Sequence, residues 1–114
     1  MKLDSIKPIF SLLVIALLFI ACGKPVPPEK MDYVGEWRSK EMYLLILQDG
    51  SVKYKRLKGG GTTEVTGPIK EFEGDNFVVG FAFIKTTFVV STPPYQENGT
   101  WKIVVDGVEL IKSS

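Results

Sequence analysis

Three consecutive stretches decide the fold: Met42-Tyr43-Leu44-Leu45-Ile46-Leu47, then Gln48-Asp49-Gly50, then Ser51-Val52-Lys53-Tyr54-Lys55-Arg56-Leu57. Two β-prone runs flank an Asp-Gly pair. That is a strong hairpin signal, because a tight two-residue turn needs positive φ at both central residues. In the second run Val52 and Tyr54 alternate with Lys53 and Lys55. One face is therefore expected in a core and the other in water. The pattern recurs near the C-terminus, where residues 101–105 and 108–112 flank Asp106-Gly107. Gly50 and Gly107 are both expected at hairpin tips with positive φ.

Working outward, the remaining signals are also short strands and turns. Residues 29–34 follow Pro28 and have the length of one or two helical turns, ended by Gly35. Gly59-Gly60-Gly61 breaks the chain after the first hairpin. Residues 62–66 are β-branched apart from Glu64, Gly67-Pro68 punctuates, and residues 69–73 give another short strand. Glu73-Gly74-Asp75-Asn76 reads as a turn, and residues 92–99, with Pro93 and Pro94, read as a surface loop. The expectation is an all-β domain of about seven or eight short strands in about 80 residues, following an N-terminal signal helix. Its economical form is an antiparallel meander curled into a small barrel or strongly bent sheet, since closure removes exposed edges. A two-layer sandwich is the runner-up.

Residues 77–91 are apolar and β-prone. As one straight strand they would span about 50 Å at ~3.3 Å per residue. A compact domain of this size is only about 30 Å across, so the segment must bend or turn back. Gly80 tolerates a bulge, and Lys85 is the segment's only charge. A turn between them would put Phe81, Phe83 and Ile84 at an exposed apolar tip, a candidate contact site for a partner or a lipid surface. The other arrangement, and the preferred one, is a strand bent at Gly80 with those side chains in the core.

The first residues carry a different message. Lys2, Lys7 and Pro8 precede an apolar run from Ile9 to Ala21, which ends at Cys22, the only cysteine. About 13 apolar residues make a helix of about 20 Å, short of the ~30 Å hydrocarbon layer. An ordinary secretory cleavage site would want a small residue where Phe19 stands. Leu18-Phe19-Ile20-Ala21-Cys22 resembles the lipobox of bacterial lipoprotein precursors. The resemblance implies cleavage by signal peptidase II between Ala21 and Cys22, and lipidation of Cys22 by diacylglyceryl and acyl (palmitate-type) chains. Two or three chains hold a protein firmly on a membrane, whereas one does not. Gly23, where an Asp would retain such a lipoprotein in the inner membrane, implies the outer membrane of a Gram-negative envelope, on its periplasmic side. The expected organisation is a signal peptide at residues 1–21, a lipidated cysteine and proline-rich tether at 22–33, and the β domain at 34–114. Pro25, Pro27 and Pro28 favour an extended tether.

Composition narrows the function classes. Losing the signal removes two of the 14 basic residues and one of the 13 acidic ones, so the formal charge of +1 falls to zero. That balance suggests no nucleic-acid partner. There is no histidine, and lipid would block the one thiol. Ser-His-Asp, Cys-His and histidine-ligated zinc chemistry are therefore excluded. Gly59-Gly60-Gly61-Thr62-Thr63 is a flexible connection rather than a phosphate loop, because Lys58 precedes the glycines and strands flank them. Glu71, Glu73 and Asp75 alternate, but three carboxylates fall short of the six to eight oxygens calcium takes, and they read as a solvated strand edge.

Two resemblances bear on the folded part. Gly35-Glu36-Trp37 resembles the G-x-W that opens the first strand of lipocalins. The simpler reading is that Trp37 plugs the core of a small β domain. Val34-Gly35-Glu36-Trp37, residues 72–77, Thr86-Thr87-Phe88 and residues 105–110 are similar to small lipoproteins of Gram-negative bacteria, a likeness that implies no activity. The expected function is that of a membrane-anchored envelope lipoprotein, not an enzyme and without cofactor or metal, whose β domain binds an envelope protein. The alternatives are a calycin-like carrier or sensor of a small apolar ligand, which needs a cavity of several hundred Å³, and an inhibitor of an envelope-attacking enzyme.

Overall fold

The structure, a computed structural model, describes residues 24–81 and 83–113. Cys22, Gly23 and the signal segment lie outside the described residues, as does the side chain of Phe81. A 3-10 helix, Pro28–Tyr33, leads into nine strands: β1 (Gly35–Arg38), β2 (Met42–Ile46), β3 (Ser51–Lys58), β4 (Gly61–Glu73), β5 (Asn76–Phe81), β6 (Ile84–Phe88), β7 (Val90–Glu97), β8 (Thr100–Val105) and β9 (Val108–Lys112). All form one antiparallel sheet in the order β6-β5-β4-β3-β2-β1-β9-β8-β7. The sheet is a meander whose first and last strands pair, Trp37 opposite Lys112 and Arg38 opposite Ile111. This is the expected bent sheet rather than a sandwich, with nine strands instead of seven or eight.

The curl follows from one connection. β6 and β7 stand at the two ends of the strand order, yet Val89 alone separates them. Strands one residue apart in the chain are neighbours in space, so the sheet must bend round until its ends meet. β6 and β7 are two halves of one bent strand, the first paired with β5 and the second with β8. The result is a half-barrel around one core.

Alternation places that core as expected. In β3 Val52 and Tyr54 are buried while Lys53 and Lys55 are exposed. Trp37, Leu44, Ile46, Phe77, Phe88, Ile103, Val105 and Leu110 fill the interior, none more than 1% exposed. Phe77 stacks on Phe88 with ring centroids 5.0 Å apart, and Tyr54 meets Phe88 edge-on at 4.7 Å. Such aromatic pairs add about 0.5–1.5 kcal/mol each beyond their buried area.

Four expectations need correction. Residues 62–66 and 69–73 are one strand, β4, rather than two. Its first part pairs with β3 as far as Ser51 opposite Pro68, and its last part pairs with β5 from Ile69 onward. Pro68 sits where the strand changes neighbours, so its missing N–H is tolerated there. Second, Thr92, Pro93, Pro94 and Tyr95 belong to a strand and not to a loop. β7 is an edge strand with register shifts at Thr92, and an edge tolerates proline because one side needs no ladder bonds.

Third, the proline tether is not free along its length. Val26 is buried, its N–H donates to the Gln48 carbonyl at 2.9 Å, and Tyr33 is buried in the same core. A segment that carries a valine and a tyrosine gains more by covering the end of the half-barrel than by standing in water. Fourth, residues 77–91 do not form a bent strand with its side chains inside. Phe81 pairs with Ile84, so the chain reverses between them.

The turns behave as expected, with one refinement. Gly50 and Gly107 have φ of +92° and +80°. At the second Asp-Gly both residues are left-handed, Asp106 at +48°. At the first only Gly50 is. Leu47 and Ser51 close that hairpin through a 2.9 Å hydrogen bond, leaving a three-residue loop that needs one glycine at its end.

Candidate docking pole

In an antiparallel meander the turns alternate between two ends. The β1–β2 turn (39–41), the β3–β4 turn at Gly59-Gly60, the β5–β6 reversal and the β8–β9 turn at Asp106-Gly107 share one end. The 3-10 helix, the turn at Gly50, the turn at Gly74-Asp75 and the turn at Asn98-Gly99 share the other.

The end holding the 3-10 helix is braced. Tyr33 OH donates to the Asp75 carbonyl at 2.8 Å, and Trp37 Nε1 donates to the Tyr33 carbonyl at 2.9 Å. Burial, helped by the Asp75 charge, pushes the Tyr33 phenol up to about 12. Lys30 Nζ donates to the Gly74 carbonyl at 2.8 Å and lies 5.4 Å from the centroids of the Tyr33 and Phe72 rings. Lys112 Nζ donates to the Asp32 carbonyl at 3.0 Å, between Trp37 at 4.8 Å and Trp101 at 5.2 Å. Its pKa is pushed down by burial. These contacts tie the N-terminal segment to the barrel; Trp37 is a core plug, as the simpler reading had it.

The three most exposed large apolar side chains among the described residues stand at the opposite end, although Leu47 and Met31 are also exposed at the braced one. Phe83 is 91% exposed and Ile84 69%, beside exposed Lys85. Two of the three expected tip residues are thus placed in water. At the same end Leu57 is 53% exposed, with Lys58 next to it on the β3–β4 tip. Residue-by-residue reading missed Leu57. The signal that would have found it is the alternation of turns, which forces the β3–β4 and β5–β6 tips to one end.

Leu57 also borders a shallow depression of about 180 Å³ with Arg38, Lys40, Glu41, Tyr43 and Lys55. The β1–β2 turn that forms its rim is held by Ser39, whose Oγ accepts from the Met42 N–H at 3.0 Å. Arg38 Nη2 is 3.3 Å from Glu36 Oε2, and its guanidinium lies 4.8 Å from the Tyr43 ring centroid. Glu41 is 3.7 Å from Arg56. Beneath this rim Glu36 accepts from Ser113 Oγ at 2.8 Å, Tyr43 OH at 2.8 Å and Arg38 Nε at 3.3 Å. Those donors, Ser113 first, hold its carboxyl down at about 2.

No group of three or more metal-ligating residues stands together among the described residues. Of the three alternating carboxylates, Asp75 lies 3.8 Å from Lys30 Nζ and belongs to the brace. No protein-family model matches the chain, and no curated protein or solved structure matches it either.

Proposed function

We propose that this chain is a lipid-anchored envelope protein whose β domain has no catalytic part and binds a protein partner through the pole bearing Phe83 and Ile84. The observation that carries the reading is the exposure of Phe83. A buried Phe or Ile contributes about 1.5–3 kcal/mol to folding, and here adjacent Phe and Ile side chains forgo it at a hairpin tip. Apolar surface held out at a hairpin tip is suited to contact. The anchor is Cys22, at the end of the apolar run and two residues before the first docked segment. A protein partner is favoured over a small apolar ligand because the interior is filled by Trp37, Phe77, Phe88 and Leu110.

The test is crosslinking in cells, with p-benzoylphenylalanine in place of Phe83 and fatty-acid labelling alongside. The expected result is an acyl-labelled protein, lost in Cys22→Ser, that forms a discrete protein adduct from position 83. Labelling that survives Cys22→Ser sinks the anchor. An acylated protein with no protein adduct sinks the docking role.

A further inference from the structure

We infer that the partner presents a carboxylate-bearing segment, held by Lys40 and Lys55 in the depression beside Leu57, on the side of the domain turned away from the anchored end. This rests on the docking role proposed above and names the chemistry of its partner. Charge is the first argument. Arg38, Lys40 and Lys55 bring three cations to the depression against one carboxylate, Glu41. Arg56 occupies Glu41 at 3.7 Å, and Arg38 is occupied by Glu36 at 3.3 Å. Lys40 and Lys55 are exposed and form no ion pair among the described residues. Glu64 stands opposite Lys55 in the β3–β4 ladder but makes none with it. Two uncommitted ammonium groups around a small depression fit one or two carboxylate side chains, and the bordering Leu57 offers them an apolar neighbour.

Position is the second argument, and it separates a protein from the anchoring bilayer. The Lys24 carbonyl packs against Gly50, and Val26 is fixed to Gln48, at the end opposite the tips. Cys22 is two residues from Lys24, a reach of about 7 Å at most. β3 alone carries the chain about 23 Å from Ser51 beside Gly50 to Lys58 at the far end, at ~3.3 Å per residue. An anchor at Cys22 therefore holds the bilayer against the braced end and turns Leu57, Lys40 and Phe83 toward whatever faces the membrane. Rim charges of this kind steer association and choose partners.

The experiment uses the full lipidated chain with p-benzoylphenylalanine at position 83, alone and combined with Lys40→Glu/Lys55→Glu or Lys40→Arg/Lys55→Arg. The expected result is at least a five-fold loss of the protein adduct with the glutamates and little loss with the arginines. Lys40→Glu alone, in an exposed turn, should give part of that loss with an unchanged melting temperature, which guards against a misfolded double variant. An adduct of equal strength in the glutamate variants overturns the carboxylate partner while leaving protein docking at the tip intact. The Cys22→Ser chain, which cannot be acylated there, is also mixed with phosphatidylethanolamine–phosphatidylglycerol vesicles. Binding that Phe83→Ser abolishes makes the pole a lipid surface and overturns both readings.

Discussion

Val89 and Asp106 hold each other by two hydrogen bonds. The Val89 N–H donates to Asp106 Oδ1 at 2.9 Å, and the Asp106 N–H donates to the Val89 carbonyl at 2.8 Å. Val89 is the single residue between β6 and β7, and Asp106 opens the β8–β9 turn. The pair therefore pins the place where the two ends of the sheet come together. Asp106 also holds a φ of +48°, which aspartate tolerates better than most residues. Asp106→Ala should lower the unfolding free energy by about 1–2 kcal/mol, the net worth of one such hydrogen bond plus the left-handed strain. Asp106→Asn, which keeps an accepting oxygen, should lose less. Urea denaturation of both variants checks the order.

Phe83 and Phe88 are five residues apart on one hairpin and opposite in environment, at 91% and 1% exposed. Phe83→Ser should change stability by no more than about 0.5 kcal/mol, as for a free surface position. Phe88→Ala removes the ring stacked on Phe77 and met by Tyr54, and should cost about 3–5 kcal/mol. Equal melting temperatures for the two variants would contradict the placement of the reversal between Phe81 and Ile84.

Gly80 is needed for space rather than for an unusual φ. A Cβ there would meet the Ile84 carbonyl oxygen at 2.5 Å and Lys70 Cδ at 3.1 Å. The lysine end moves aside; the backbone oxygen of the adjacent strand does not. Gly80→Ala should cost about 1–3 kcal/mol through forced backbone displacement. Gly61→Ala, where the nearest atom is the Lys58 carbonyl oxygen at 3.7 Å, should be close to neutral. Chemical denaturation of both variants gives the comparison.

Glu36 sets an acid limit on the β1–β2 pair. Its carboxyl is held at about 2 in the folded chain by Ser113, Tyr43 and Arg38, against an ordinary value of 4.5. A carboxylate with a depressed folded pKa stabilises the fold above its unfolded pKa, and that contribution fades as protons bind. The gap in melting temperature between the native chain and Glu36→Gln should thus be constant above about pH 5 and close progressively between 4.5 and 2. A gap that stays constant down to pH 2.5 would show that Glu36 is not held by those donors in solution.

Local chemistry in the sequence settled a good part of this protein. The alternation of Val52 and Tyr54 with Lys53 and Lys55 fixed which face of β3 is core, because side chains in a strand repeat every two residues. Asp106-Gly107 fixed a tight turn, because few residue pairs accept two successive positive φ values. The length of residues 77–91 required a bend, since no domain of this size is wide enough for them. Where the bend fell, and whether Phe83 faced core or water, depended on pairing partners that no local rule supplies. Pro68 and Pro94 show the same limit. Read alone they interrupt strands; in the sheet Pro68 lies where β4 changes neighbours and Pro94 lies on an unpaired edge, so neither breaks a strand. Val26 and Tyr33 joined the core because the open end of the half-barrel offered apolar surface beside them. Tertiary closure also brought Leu57, Lys40 and Phe83 to one end, since only the completed meander fixes which turns point the same way.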